Sequence, residues 1–168
     1  MRFLDSLGIT NSSEAAACAS TSFKGPRASV LLVDDSPDNL LVLREYLKKT
    51  PHLVDEAPSG AVALAKVRRR KYDIIIMDLL MPEMDGFETT RRIRQWEDRC
   101  AEDHACIIAL TAWALTEASI ESHQCGADVH LTKPISSARL LKVVNAQWSR
   151  IVKQRARRID PRFARPTP

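Results

Sequence analysis

The sequence predicts an α/β fold: a (βα)5 doubly wound parallel sheet with strand order 2-1-3-4-5. Three observations carry this. Five short apolar runs alternate strictly with five amphipathic helical stretches. The strongest runs are continuously apolar, as in strands buried on both faces. Polar residues sit just past four of the five strand ends. The order 2-1-3-4-5 makes those four ends neighbours and leaves the bare strand at the edge.

Each element has its own signal. Residues 1–28 are rich in Ser, Ala and Thr and include Gly25-Pro26, which reads as a disordered leader with at most a short helix near Phe3–Leu7. Val30–Val33 is the first strand. Ser36 then serves as an N-cap with Pro37 in the first helical position. Leu40, Leu43 and Leu47, joined by Leu41, form a helical stripe ending near Lys49. Leu53–Ala57 is a weaker strand, and Ser59 to Arg70 a helix turning Val62, Leu64 and Val67 inward. Asp73–Met77 is a strand, followed by a helix from Phe87 to about Arg99. Cys106–Leu110 is the fourth strand. The helix after it, Leu115 to about Cys125, is closed by Gly126. Val129–Leu131 is a short fifth strand. Ser136-Ser137 caps a last helix bearing Leu140, Leu141, Val144, Trp148, Ile151 and Val152. The predicted division is a leader over 1–28, one folded domain over 29–150, and a basic helical extension or tail over 151–168. No internal repeat is visible.

Bulk properties set limits. A chain of 168 residues, 45% apolar and 27% charged, suits one soluble globular domain with short extensions. Cys18, Cys100, Cys106 and Cys125 form no Cys-x-x-Cys pair and no metal spacing with the histidines, so reduced thiols in a cytoplasmic protein are expected. No apolar stretch approaches the roughly 18 residues of a membrane helix. Asp5 and Glu14 interrupt any signal-peptide core. Residues 149–168 carry a net charge of +6, so the rest carries −2. A mildly acidic domain thus bears a basic tail. With Phe163 its only aromatic residue, that tail reads as a solvated end rather than a nucleic-acid site.

The strand ends hold the chemistry. Strand one ends in Asp34-Asp35, strand three in Asp78, strand four in Thr111 and strand five in Thr132-Lys133-Pro134. Strand two ends in Ala57-Pro58 and offers nothing reactive. Carboxylates held close together repel, and a hard divalent cation with oxygen ligands relieves the repulsion. Mg²⁺ suits a site with few carboxylates. Lys133 supplies a mobile point charge and Thr111 a small hydroxyl donor. Together these groups suit transfer of a phosphoryl group to a carboxylate.

The same residues resemble a response-regulator receiver domain of two-component signalling, a flavodoxin-like fold. The resemblance covers about residues 29–148. It rests on Val33-Asp34-Asp35, Ala57-x-x-Gly60-x-x-Ala63-Leu64, and Met77-Asp78-x-x-Met81-Pro82-x-Met84-Asp85-Gly86. It continues through Leu110-Thr111-Ala112, Gly126-Ala127-Asp128 and Leu131-Thr132-Lys133-Pro134. It implies that Asp78 is the phosphoacceptor. Asp35 would bind Mg²⁺ directly and Asp34 through water, with Asp78 and the Leu80 carbonyl completing the protein ligands. Thr111 and Lys133 would grip the phosphoryl oxygens, and Lys133–Pro134 would be cis. Leu80 and Trp113 occupy the positions that tune phosphate lifetime; neither side chain positions an attacking water well, so slow self-dephosphorylation is expected. His130 falls where an inward-turning switch residue works together with Thr111.

The implied partners are a histidine kinase or a histidine phosphotransfer protein and an unidentified downstream protein, with the last helices as a candidate dimer surface. The receiver and its extensions use up the length, leaving no room for a helix-turn-helix output domain. Asp-Asp-x-x-x-Asn at Asp34–Asn39 looks most like receivers of hybrid histidine kinases, so a receiver fragment passing phosphate to a phosphotransfer domain is the alternative. Enzymes of similar fold are disfavoured. Ser36 stands where a haloacid-dehalogenase-type phosphatase needs a second Asp, and no Gly-x-Gly-x-x-Gly or Gly-x-x-x-x-Gly-Lys is present.

Overall fold

The computed structural model describes residues 26–100, 103–112 and 125–159. Five strands run in parallel: β1 Ser29–Val33, β2 Leu53–Ala57, β3 Ile74–Asp78, β4 Cys106–Thr111 and β5 Val129–Thr132, in the order β2-β1-β3-β4-β5. Four described helices cover them: α1 Pro37–Leu47, α2 Gly60–Arg69, α3 Gly86–Arg99 and α4 Ser137–Ile159. The helix expected at 115–125 lies outside the described residues, as do Trp113 and the segment near Phe3–Leu7.

Strand alternation sorts side chains to two faces. Leu31, Val33, Ile75, Met77, Ile107 and Ala109 meet Ala63 and Leu64 of α2 and Ile93 of α3. Val30, Leu32, Ile74, Ile76, Ile108 and Leu110 meet Leu40, Leu43 and Leu47 of α1 and Leu140 and Val144 of α4. The central strands are buried at every position of β3 and β4, which is why their sequences are continuous apolar runs rather than alternating ones. Edge strand β2 is only partly buried and reads more weakly.

The first cap follows its sequence signal, and two more appear in the structure. Ser36 accepts a hydrogen bond from the Asn39 N–H, with Pro37 opening α1. Ser59 caps α2 and Asp85 caps α3 in the same manner. Gly126 takes φ +99, a backbone conformation that few other residues adopt without cost.

Both flanks of the predicted domain are tied down further than composition suggests. Ala28, read from sequence as the end of a disordered leader, is fully buried and donates its N–H to His52 Nδ1 at 3.2 Å. The Pro26 carbonyl accepts from Trp148 Nε1 at 3.0 Å. Helix α4 runs 23 residues, and Ile151 still packs on the core. Arg155 then pairs with Asp73 at 2.6 Å, and Arg158 pairs with Asp103. The end of α4 is thereby fastened to acids that stand just before β3 and β4. Among the described residues, no helix is long and apolar enough to cross a membrane.

Candidate functional site

Parallel strands bring their carboxyl ends to one edge of the sheet. Asp78 ends β3 opposite Leu110, so Thr111 stands one residue further along the neighbouring strand. Thr111 in turn pairs with Thr132, and the Lys133 N–H donates to the Thr111 carbonyl at 2.7 Å. Register thus delivers Asp78, Thr111 and Lys133 side by side. Asp34 and Asp35 follow β1 on the other side of β3.

Asp34 is fully buried and Asp78 is 6% exposed, while Asp35 is exposed. Carboxylate oxygens of Asp34, Asp35 and Asp78 lie within 4.8 Å of one another. Lys133 Nζ bridges two of them, 2.9 Å from Asp34 Oδ2 and 2.9 Å from Asp78 Oδ2. Asp34 also accepts from the Ser36 N–H at 3.0 Å and from Asn39 Nδ2 at 2.9 and 3.1 Å. Asp78 Oδ1 accepts from the Leu80 N–H at 3.3 Å. The Lys133–Pro134 peptide is cis, as the resemblance implied.

The charges do not balance. Burial pulls the Lys133 ammonium downward, but contact with Asp78 and Asp34 outweighs it and holds the group above its ordinary pKa. Burial pushes the Asp78 carboxyl upward; Lys133 opposes this, and the neighbouring Asp34 charge adds to it, leaving Asp78 above the ordinary carboxylate range. Two acids share one ammonium, and a third stands exposed beside them. This donor set fits a small hard cation: several oxygen ligands, short separations and excess negative charge.

Other sequence-singled residues fall as follows. Leu80 is 44% exposed at the mouth of the site. Thr111 is buried on β4, and His130 is half-buried on β5 opposite Ala109. Gly86 opens α3 directly beneath Asp78. A Cβ there would overlap the Asp78 carbonyl oxygen and stand 2.7 Å from the Leu79 Cα. The glycine therefore lets the loop after β3 fold back under Asp78, an arrangement closed by the Gly86 N–H to Leu79 carbonyl bond of 3.0 Å. Asn39 and Gly86 belong to motifs quoted from the sequence, but no role was drawn for either. Asn39 lies five positions after Asp34, in the first turn of α1, a spacing that could have pointed to it.

The model of the response regulator receiver domain matches residues 30–145. Over 128 residues the chain is 40% identical to the sensor histidine kinase GacS of Pseudomonas protegens; the match covers 76% of this chain but 14% of that protein. It is 34% identical to protein PilH of Pseudomonas aeruginosa, over 71% of this chain and 96% of that one. Among solved structures, chemotaxis protein CheY4 of Vibrio cholerae superposes with a TM-score of 0.66 at 32% identity, covering 72% of this chain and 98% of that one. A receiver domain of a signal transduction histidine kinase from Syntrophus aciditrophicus gives 0.65 at 30% identity, covering 73% and 90%. The chain spans about one seventh of the length of GacS and nearly the whole of PilH. With register, acidic cluster, bridging lysine and cis proline in place, the chain belongs to the response regulator receiver domain family of two-component systems.

Proposed function

We propose that Asp78 accepts a phosphoryl group and that its arrival switches an interaction surface. The observation carrying this reading is Lys133 Nζ, held 2.9 Å from both Asp78 and Asp34 in an acidic cluster that Asp35 opens to solvent. An Asp78 carboxylate oxygen attacks the phosphorus of a phosphohistidine on a kinase or phosphotransfer protein, or of a small acyl phosphate. The new O–P bond forms as the donor's P–N or P–O bond breaks, and that bond's electron pair leaves on the donor. The product is an acyl phosphate on Asp78. Lys133 and the Thr111 hydroxyl donate hydrogen bonds to the phosphoryl oxygens. Mg²⁺ would be held by Asp35, Asp78 and the Leu80 carbonyl, with Asp34 through water, and supplies positive charge against the developing negative charge.

Thr111 moves toward the phosphoryl group and His130 turns inward with it. The altered face comprises β5, α4 and the helix expected at 115–125. This is a shift between two pre-existing states rather than a new catalytic activity, so the chain is not an enzyme in its own right. A cytoplasmic location follows from the same reading.

Incubation with Mg²⁺ and acetyl phosphate tests it. Wild type should gain one phosphoryl mass and Asp78→Asn none; labelling that persists in the variant overturns the assignment. Leu80 and Trp113 offer no acceptor for an attacking water, so the acyl phosphate should be long-lived. Leu80→Gln should shorten its lifetime by about tenfold or more, since its amide oxygen can accept a hydrogen bond from an attacking water and orient it. Decay of the phosphorylated protein measures this, and an unchanged lifetime removes Leu80 as a tuning position.

A second reading rests on the 40% identity to a kinase of which the match covers 14%. Here the domain serves as the receiver of a hybrid histidine kinase, relaying phosphate to a phosphotransfer protein. Rapid transfer from Asp78 to a histidine phosphotransfer domain supports relay; stable retention in its presence supports a terminal switch.

A further inference from the structure

Asp34 is held more completely than any other acid of the cluster. A carboxylate offers about four lone-pair positions in its plane. Asp34 Oδ1 accepts from the Ser36 N–H at 3.0 Å and from Asn39 Nδ2 at 2.9 Å. Its Oδ2 accepts from Asn39 Nδ2 at 3.1 Å and from Lys133 Nζ at 2.9 Å. The Asn39 amide bonds both oxygens, whereas the Lys133 contact is to Oδ2. The orientation of its amide is fixed by chemistry: against an acceptor-only partner paired with an ammonium, only the nitrogen end bonds. Asn39 is itself exposed and adds nothing to the core. Its backbone N–H, not its side chain, engages the α1 cap at Ser36.

We infer that Asn39 is a positioning residue for the acidic cluster. Its amide locks the plane of the Asp34 carboxylate, so that Oδ2 faces Lys133 beside Asp78. It also occupies Asp34 enough that Asp35 and Asp78 are left as the oxygens open to a cation. Without the amide, Asp34 keeps its buried place but loses its fixed plane, and the cluster no longer presents one geometry to the cation. This rests on the reading that a divalent cation binds among Asp35 and Asp78.

The test is Mg²⁺ titration calorimetry on the unphosphorylated full chain. The variants are Asn39→Ala, Asn39→Leu, Asp34→Ala and the double Asp34→Ala/Asn39→Ala, with thermal midpoints recorded alongside. Asn39→Ala and the similarly shaped Asn39→Leu should each weaken Mg²⁺ binding about tenfold, the scale of losing a group that orients a metal's carboxylates. Their thermal midpoints should fall by only a few degrees, since each removes a hydrogen bond to a buried carboxylate, and both variants should stay folded at the titration temperature. In the Asp34→Ala background, Asn39→Ala should add no further loss, because it acts through Asp34. If Asp34→Ala lowers the midpoint, Asp34→Asn replaces it in the cycle. Unchanged Mg²⁺ binding in Asn39→Ala, while the Asp34 variants weaken it, overturns the positioning role and leaves the metal reading standing. An equal loss in both backgrounds also overturns it. Wild type failing to bind Mg²⁺ overturns the metal reading, and this inference with it.

Discussion

A single ammonium cannot neutralise two buried carboxylates, and the residue-scale behaviour of the site follows from that. Lys133 is shared between Asp34 and Asp78, so burial still leaves Asp78 above its ordinary pKa. An acid whose folded pKa is raised gives stability that is present below its unfolded pKa and lost as pH rises through the folded one. As pH rises, loss of the proton from Asp78 therefore weighs against the fold. Asp78→Asn should raise the thermal midpoint at pH 7 and flatten its fall on going up from pH 4; a midpoint that drops instead contradicts the balance described. Glu83 is a second residue under local constraint, a non-glycine at φ 63 in the loop that follows β3. A β-carbon in that region costs roughly 1–2 kcal/mol, part of which glycine returns as unfolded-chain entropy. Glu83→Gly should stabilise by about 0.5–1 kcal/mol in urea unfolding. Asp78, Thr111 and Lys133 were legible in the sequence because strand periodicity alone puts them at strand ends. The grip of Asn39 on Asp34 was not, since it depends on a side-chain rotamer that spacing does not determine.

Elements are joined by groups that look ordinary in sequence. Arg94 reads as one charge among many on α3, yet its side chain is only 13% exposed. It donates to Glu97 at 2.6 Å, to the Ala105 carbonyl at 2.9 Å, to the Gly126 carbonyl at 2.9 Å and to Asp128 at 2.8 Å. One guanidinium thereby fastens the end of α3 to the entries of β4 and β5. Glu97, also buried, accepts the Ala105 N–H at 2.8 Å. Removing Arg94 strands that carboxylate and two carbonyls, so Arg94→Ala should cost about 3 kcal/mol in denaturant unfolding, the scale for breaking a buried pair. Arg94→Lys should recover little, because one ammonium cannot reach all four acceptors. The caps at Ser36 and Ser136 and the strand order, by contrast, were readable beforehand from cap residues, continuous apolar runs and the polar strand ends. The network around Arg94 joins positions more than thirty residues apart and emerges only when the strands are in register.

At the scale of the whole molecule, the edge bearing Asp78 and the flanking segments occupy opposite ends of the sheet. Asp78 stands at the carboxyl ends of the strands. Pro26, Trp148, Arg155 and Arg158 gather where the strands begin. The stripe reaching Ile151 was legible in sequence; the acids that receive the arginines were not, because Asp73 and Asp103 become neighbours of α4 only through the fold. The helix thus remains part of the folded body past residue 145, where the family match ends. Ending the chain after Ser149 should lower stability by about 2 kcal/mol, from lost burial of Ile151 and two partly exposed ion pairs. A truncated chain as stable as the whole would mean these contacts contribute nothing in solution. The central claim, that Asp78 carries the phosphoryl group, is tested most directly by treating the Mg²⁺- and acetyl-phosphate-loaded protein with borohydride and sequencing its peptides by mass spectrometry. Reduction of an aspartyl phosphate leaves homoserine, which should appear at position 78 and nowhere else. Homoserine at Asp34 or Asp35, or a phosphoryl group found instead on a serine, threonine or histidine, would contradict the account.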